Sequence, residues 1–178
     1  MRIGRWSGKN PNIHAMFRRT ATWRNDYDEN LVVGNISQKT AEQPNYESRI
    51  RIKWYNGLYN PVYYVKDGTE NVVCLWSYSG EYPIAEIKNA TMDDVLKALG
   101  QEQGDLAYFT TLAKQTVPDM TPINSLRAKL PDAQVWTYTY KSLVGMLTAT
   151  DPAGKTAYYD YDSFGRLTGM RDNDGNTI

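Results

Sequence analysis

The chain has 178 residues, with 20 basic and 20 acidic side chains, so its formal net charge at pH 7 is zero. This balance gives no global charge that would indicate binding to nucleic acid, to an anionic membrane or to an acidic substrate. Cys74 is the only cysteine, which excludes an intrachain disulfide and a thiolate metal cluster. The 14 tyrosines against 3 phenylalanines favour β-structure, because tyrosine suits a pleated surface that is half exposed to water.

Residues 1–47 are predicted to form a polar arm, in which only Leu31-Val32-Val33 has the character of a strand. Basic and aromatic residues mix in its first 24 residues, a composition that can bind nucleic acid. Acidic residues follow and cancel this charge, so we favour a solvated arm with no nucleic-acid partner. His14, the only histidine of the chain, lies in this arm, and a structural role is favoured over a catalytic one.

Residues 48–90 predict a meander of short antiparallel strands. Ile50, Ile52 and Trp54 alternate with basic residues, which is the period of two expected of a half-buried strand. Asn56-Gly57 indicates a tight hairpin turn. Further strands are predicted at residues 61–65, 72–76 and 84–87, separated by turns at residues 66–68 and 79–80.

Residues 91–131 predict an insert of three short helices. Thr91 is positioned to cap the first helix, with Asp94 completing a capping box and Gly100 ending the helix. The second helix is predicted at residues 105–114. The third is predicted to begin at Thr121-Pro122, with the proline at the first helical position, and to end at Pro131. Apolar stripes on such helices are interpreted as core.

Residues 132–178 contain one pattern twice, at a constant spacing of 21 residues, since 161 − 140, 172 − 151 and 175 − 154 are all equal. Such a period is typical of stacked supersecondary units. The recurring pairs are Tyr138 and Tyr159, Tyr140 and Tyr161, Asp151 and Asp172, and Gly154 and Gly175. The spacing from Asp67 to Tyr78 is similar to that from Asp151 to Tyr161, so residues 48–90 are interpreted as also containing a degenerate repeat.

The second of these units resembles the YD repeat of the RHS (rearrangement hot spot) family. The family motif is Tyr-x-Tyr-Asp-x-x-Gly-Arg-Leu, then about five residues and an Asp-x-x-Gly-Asn turn. Here the matching residues are Tyr159, Tyr161, Asp162, Gly165, Arg166, Leu167, Asp172 and Gly175. The preceding unit departs from the motif, with Lys141, Val144 and Gly145 at the positions of Asp162, Gly165 and Arg166. Residues 61–178 are also similar to the helix-interrupted form of large Bacteroides-type RHS-repeat proteins.

The resemblance implies an architecture rather than a reaction. In that family, YD repeats are β-hairpin units that wind side by side into a continuous sheet, which forms a shell around a toxic C-terminal domain. It implies that equivalent tyrosines stack between neighbouring strands, that Phe164 or Leu143 fills the inward side, and that the protein is secreted or on the cell surface. We therefore expect this chain to be part of a longer protein, whose remainder is its partner. We also expect self-association through the last strand, or a frayed C-terminus.

No motif of catalysis, metal binding or cofactor binding is present in the sequence, and we expect no enzyme activity, cofactor or metal. Pairs of carboxylates at Asp93-Asp94 and at Asp160 and Asp162 are interpreted as surface or helix-start residues. Residues 172–175 resemble the opening of a calcium loop, but the glycine stands fourth instead of sixth and the distal glutamate is missing. No stretch is long and apolar enough to predict insertion across a membrane.

Two classes of function remain from the sequence. The first is a non-catalytic structural and interaction module of an RHS/YD-repeat protein, with an α+β, mainly β fold of antiparallel hairpins and a short helical insert. The alternative is a carbohydrate-binding surface, on which exposed aromatic rings stack against sugars. Cross-strand packing is the favoured interpretation of these aromatic residues. The candidates for stacking are Trp54, Tyr55, Tyr59, Tyr63, Tyr64, Trp76 and Tyr78.

Overall fold

The computed structural model describes residues 21–25 and 46–178, and side chains from residue 49 onward. His14 and Leu31-Val32-Val33 lie outside these ranges. Within them, nine strands form one antiparallel sheet in which strand order follows chain order. The strands are β1 (Ala21–Asn25), β2 (Tyr46–Tyr55), β3 (Pro61–Lys66), β4 (Glu70–Ser77), β5 (Tyr82–Lys88), β6 (Gln134–Lys141), β7 (Gly145–Thr150), β8 (Thr156–Tyr161) and β9 (Leu167–Arg171).

Three helices connect β5 to β6, namely α1 (Met92–Ala98), α2 (Leu106–Lys114) and α3 (Met120–Lys129). The described sheet does not close on itself, because β1 and β9 each pair with a single neighbouring strand. The predicted mainly β architecture with a short helical insert is confirmed. None of the helices among the described residues is long and apolar enough to cross a membrane.

Strand β1 lies inside the segment that was predicted to be a polar arm without a strand at this position. It pairs antiparallel with β2, with Ala21 opposite Arg51 and Asn25 opposite Tyr46. Its sequence, ATWRN, gives no alternation of apolar and polar residues long enough to be recognised. The prediction that only Leu31-Val32-Val33 has strand character within residues 1–47 is therefore wrong for residues 21–25, which extend the sheet.

The two faces of the sheet differ because only one is covered by helices. Along one face, Val73 of β4 lies opposite Ile87 of β5, which lies opposite Val135 of β6. Thr137 is two residues beyond Val135 and therefore on the same face. Its hydroxyl accepts a hydrogen bond from Nη2 of Arg127 in α3 at 3.0 Å. We call this side the helix face.

The hydrophobic core lies between the helix face and the three helices. Phe109 of α2 and Ile123 and Leu126 of α3 are buried against the strands. Burial of such apolar area is the main favourable term that holds the insert on the sheet, at roughly 25 cal/mol per Å². The largest fully buried side chains are Val62, Val72, Val73, Leu75, Ile84, Ile87, Val95, Leu96, Phe109, Ile123, Leu126 and Val135.

The residues predicted to cap the start of a helix are confirmed for α1 and are only partly correct for α3. Thr91 and Asp94 form the predicted capping box, with Asp94 N donating to Thr91 Oγ1 at 3.2 Å and Thr91 N donating to Asp94 Oδ2 at 2.9 Å. Helix α3 instead begins earlier than predicted, because Asp119 caps it by accepting from Thr121 N at 2.9 Å. Pro122 consequently occupies the third helical position, where an N–H would still have no partner within the helix.

The turn at Asn56-Gly57 is longer than the tight hairpin turn that was predicted, since it spans residues 56–60. The left-handed residue is Tyr59, with φ of 65°, rather than the glycine. Gly57 instead permits a close approach of α2, because a Cβ there would lie 2.8 Å from Cγ2 of Thr110. The dipeptide signal failed because the asparagine side chain can itself bind the N–H groups of a wider turn.

Candidate functional site

Three turns in the last thirty residues share one pattern of hydrogen bonds, and they contain most of the predicted repeat-motif residues. In each, the N–H of an aspartate donates to the carbonyl four residues later, at 2.9 Å for Asp151, 3.0 Å for Asp162 and 2.8 Å for Asp172. In return, the aspartate Oδ1 accepts from the N–H of that later residue, at 2.8, 2.9 and 2.8 Å respectively. The side chain therefore closes the turn without help from another strand.

The glycine three residues after each aspartate supplies the backbone conformation that closes the turn. Gly154, Gly165 and Gly175 have φ values of 81°, 75° and 86°. A side chain at such a φ is strained, which explains why glycine recurs at the motif position. The three turns end β7, β8 and β9 in succession. The structural unit is therefore one strand plus one turn, and the period of 21 residues contains two such units.

Two of these carboxylates are held in their ionised form by the turn itself. Hydrogen bonds from the Arg166 N–H and side chain, with one from the Phe164 N–H, lower the pKa of Asp162. The pKa of Asp172 is lowered first by the Asn176 side chain and then by backbone N–H groups. Each carboxylate accepts hydrogen bonds from N–H groups of its own turn. Residues 172–175 therefore form a turn closed by its own aspartate, in place of the calcium-loop opening considered from the sequence.

The asparagine turn at residues 56–60 has the same geometry and was not recognised from the sequence as a relative of the aspartate turns. Asn56 N donates to Asn60 O at 3.0 Å, and Asn56 Oδ1 accepts from Asn60 N at 3.0 Å. Asp67 differs, because it lies in a two-residue turn with Gly68, with φ values of 47° and 80°. The proposed equivalence of Asp67 and Asp151 is therefore wrong, and Asn56 is the structural counterpart.

Two of the repeat tyrosines, Tyr138 and Tyr159, lie on the face of the sheet opposite the helices. On this side Cys74 of β4 lies opposite Glu86 of β5, which lies opposite Trp136 of β6. We call it the tyrosine face, because side chains alternate between the two faces along each strand, and this alternation places three tyrosines on the same face as Cys74, Glu86 and Trp136. Those tyrosines are Tyr64, Tyr138 and Tyr159, which share faces with Val72, Trp136 and Ala157.

Stacking between equivalent tyrosines of adjacent strands, which the resemblance implied, does not occur in this arrangement. Tyr138 lies opposite Ala149 of β7, and Ala149 lies opposite Ala157 of β8, so Tyr138 and Tyr159 are two strands apart. Tyr140 stacks instead on Tyr82, with ring centroids 4.6 Å apart. Strand β7, which carries Ala149 at this position, separates Tyr138 from Tyr159.

The tyrosine face has the electrostatics of a half-buried surface rather than of a nucleophile site. Burial, followed by the negative charge of Glu86, raises the pKa of the Cys74 thiol to about 12. The same two causes raise the pKa of Tyr138 to about 12. A thiol in this environment stays protonated at neutral pH, and the protonated form is not the nucleophile.

The other carboxylates considered for catalysis have structural partners. Asp94 belongs to the α1 cap, and Asp93 accepts from Gln103 Nε2 at 3.1 Å. Asp160 forms a bidentate ion pair with Arg171, with both N···O distances at 2.7 Å. Among the described residues, no group of three or more histidine, cysteine, aspartate or glutamate side chains could hold a metal ion.

The aromatic residues proposed for carbohydrate stacking are used mainly for packing. Trp54 contacts Phe109, with ring centroids 6.0 Å apart, and Tyr63 donates its hydroxyl to Asn71 Oδ1 at 2.8 Å. Trp76 Nε1 donates to a main-chain carbonyl at 2.8 Å. Tyr78 is only 8% exposed. Tyr64 lies on the tyrosine face, and of the seven candidates Tyr59 is well exposed, at 63%, so the candidates do not form one exposed strip.

The apolar residues that were expected to fill the inward side of the repeat are instead exposed. Leu143 is 95% exposed and Phe164 is 82% exposed, and each lies at the tip of a turn rather than in a strand. The expectation that either residue fills the inward side is wrong. Side-chain alternation predicts direction only within strands, and these residues lie outside them.

Comparison with known proteins identifies the C-terminal segment. The family model described as RHS Repeat matches residues 143–177, which contain all three aspartate turns. Tyr138 and Tyr140 lie before the matched segment. No curated protein matches the chain. The chain thus carries an RHS repeat at residues 143–177, which supports its assignment to the RHS/YD-repeat family.

Proposed function

We propose that this chain is a non-catalytic structural and interaction module of an RHS/YD-repeat protein, in which YD-repeat hairpins extend one continuous sheet. The observation that carries the proposal is the recurrence of the same aspartate turn at Asp151, Asp162 and Asp172 within the RHS repeat. Each turn reverses the chain and places the next strand antiparallel to the last. A unit of this kind can be added repeatedly with no change in the geometry of the sheet.

The chain beyond the last aspartate turn supports this proposal. Thr177 forms an antiparallel bridge with Arg171 of β9, and the Ile178 N–H donates to Met170 O at 3.1 Å. A further strand is thus already aligned on the outer edge of β9. Because repeats interact mainly with their nearest neighbours, each additional repeat is expected to stabilise the one before it.

A non-catalytic role is supported by how the reactive groups are used. The carboxylates of the aspartate turns bind backbone N–H groups, and the pKa of the single thiol is raised away from the reactive range. Histidine is represented only by His14, outside the described residues. An architectural role needs none of these groups to act on a substrate.

The partners and location that we propose follow from the same interpretation. The partner of β9 is the next part of a longer RHS-repeat chain, and a secreted or cell-surface location is proposed from the family resemblance. Where no neighbouring repeat is present, the outer edge of β9 is expected to pair with another copy, because unpaired strand edges do so readily. Light scattering during size-exclusion chromatography measures this self-association directly.

The proposal is tested by lengthening the chain by one repeat. A copy of residues 158–178 placed after Ile178 keeps the 21-residue period, because Ile178 then takes the position of Ala157. We expect the temperature of unfolding to rise by at least ~3 °C, since a new nearest-neighbour interface of about 1 kcal/mol shifts it by roughly that amount. The control carries the same added residues in scrambled order, and its midpoint should stay that of the original chain.

The proposal fails if the lengthened chain unfolds at the temperature of the scrambled control. In that case the added residues would also be cut by proteases as readily as those of the control. Circular dichroism and limited proteolysis of the three chains distinguish these outcomes.

Carbohydrate binding remains the alternative function, but the placement of its candidate residues gives it less support. Tyr78 is buried, and the rings of Trp54, Tyr63 and Trp76 pack against the hydrophobic core. A glycan array probed with the whole chain tests this alternative, and reproducible binding that is lost on Tyr64→Ala would favour it over a purely architectural role.

A further inference from the structure

Among the described residues, four of the seven large exposed hydrophobic side chains lie at one end of the sheet. The β6–β7 and β8–β9 turns lie at the same end, because successive strands are antiparallel, and they carry Leu143 and Phe164 at 95% and 82% exposure. Tyr59 in the β2–β3 turn and Leu167 at the start of β9 are exposed at this end as well. At the opposite end, the tips of the Asp151 and Asp172 turns carry Pro152-Ala153 and Asn173-Asp174. The asymmetry shows that exposed apolar tips are not a general property of these turns.

Leu143 has a conformation that the fold alone does not explain. Its φ is 63°, in the left-handed region that leucine rarely adopts. Glycine or asparagine would adopt this conformation more readily. The leucine side chain is almost fully exposed and is absent from the hydrophobic core. A strained and solvent-exposed leucine is therefore better explained by a contact outside the described fold.

Leu143 and Phe164 occupy corresponding places in consecutive 21-residue periods, since 164 − 143 equals 21. The two turns are also neighbours in space. A Cβ at Gly165 would lie 3.8 Å from both methyl groups of Val144. We define the apolar turn rim as Leu143, Val144, Phe164 and Leu167. The repeat thus presents one strongly exposed apolar tip for each 21-residue period along this end of the sheet.

A cation accompanies each tip of the apolar turn rim. Lys141 is two residues before Leu143, and Arg166 is two residues after Phe164, with Cζ 5.3 Å from the ring centroid. Arg166 Nε donates to Asp162 Oδ2 at 2.8 Å, but the Asp162 side chain is only 22% exposed, against 75% for that of Arg166, so the cation lies on the outer side of this ion pair. The outermost charges beside the apolar tips are therefore positive.

We propose that the apolar turn rim rests on the surface of a lipid bilayer that contains anionic headgroups. Leu143 and Phe164 would lie at the boundary between headgroups and acyl chains, with Lys141 and Arg166 beside lipid phosphates. Such a contact is peripheral and needs no membrane-spanning segment. It goes beyond the architectural function proposed above and does not depend on it.

The shape of the rim favours lipid over a protein partner. Leu143 and Phe164 project singly from two tight turns, which approach each other through Val144 and Gly165. A fluid bilayer can accept separate projections, whereas a stable protein interface needs a contiguous face of about 800 Å² on each partner. Four side chains at a sheet corner provide a smaller area than this.

The test is flotation of the full chain with vesicles of phosphatidylcholine, with and without phosphatidylserine. We expect flotation with the mixed vesicles, weakened by high salt, because screening reduces the attraction of the cations to anionic lipid. The double variant Leu143→Asn, Phe164→Ser should lower the apparent affinity about tenfold or more, since it removes both apolar tips. Ile178→Asn is the matched control, because Ile178 is 64% exposed but lies outside the rim, and its affinity should be unchanged.

Stability measurements separate loss of binding from loss of fold. Asparagine tolerates the left-handed conformation better than leucine, so Leu143→Asn should unfold at the same temperature as the original chain or above it. The proposal is overturned if the original chain floats with neither vesicle, which would leave a protein as the occupant of the rim. Equal loss of affinity in Ile178→Asn would also overturn it, because binding would then not depend on the rim.

Discussion

Asn56 is the residue whose replacement tests the turn chemistry most directly. It is 4% exposed, and its Oδ1 accepts from Leu58 N at 2.9 Å and from Asn60 N at 3.0 Å. Asn56→Ala removes this acceptor and leaves two partly buried N–H groups unpaired. Each such group costs about 1–3 kcal/mol, and some access of water to a turn reduces the total, so we expect a loss of roughly 2–3 kcal/mol.

The expected loss is large enough to measure in the intact chain. For a protein of this size, 1 kcal/mol corresponds to about 2–4 °C in the temperature of unfolding, so the midpoint should fall by roughly 5–10 °C. Urea unfolding followed by circular dichroism gives the free energy, and calorimetry gives the midpoint. An unchanged urea m-value would show that the variant exposes the same surface area on unfolding as the original chain.

Two further variants decide whether the asparagine turn is equivalent to the aspartate turns. Asn56→Asp keeps the accepting Oδ1, as at Asp151 and Asp162, and should lose less than half as much stability as Asn56→Ala. Asn173→Ala changes an exposed turn residue and should stay within ~0.5 kcal/mol of the original chain. If Asn56→Ala is no more destabilising than Asn173→Ala, the side-chain closure of this turn does not contribute to stability.

Two other measurements test the link between insert and sheet and the state of the tyrosine face. Arg127→Ala removes a guanidinium that donates to three oxygens of β6 and β7, and urea unfolding should show a loss of about 2–3 kcal/mol. Lys129→Ala is the control, because Lys129 donates to one exposed carbonyl, and it should cost under ~1 kcal/mol. Equal effects of the two variants would contradict the role of Arg127. The raised pKa values of Cys74 and Tyr138 mean that the unfolded chain loses these protons first. Stability should therefore be steady between pH 7 and pH 9 and fall from pH 9 towards pH 12, less steeply in Tyr138→Phe, whereas a flat alkaline profile would contradict the burial of these groups.

Local physical chemistry was sufficient to predict the elements whose signals lie within a few residues. The alternation at Ile50, Ile52 and Trp54 predicted β2, and the Thr91–Asp94 pair predicted the start of α1, because both depend on neighbours along the chain. The 21-residue recurrence paired Asp151 with Asp172 and Gly154 with Gly175, and the resemblance of the second unit to the YD motif indicated the RHS repeat. The recurrence did not reveal that one period contains two strand-and-turn units, since only one of the two turns in the first 21-residue period begins with aspartate.

The sequence by itself thus determined the β-meander, the helical insert and the family of the C-terminal repeat. Only the tertiary structure decided which face the helices cover, because that depends on the register of strands far apart in the chain, as between Ile87 and Val135. Because of the same long-range packing, Tyr78 lies in the hydrophobic core and Trp54 packs against it, whereas Leu143 and Phe164 are exposed. Periodicity assigns a side chain to one side of a strand, but the exposure of that side is set by what packs against it.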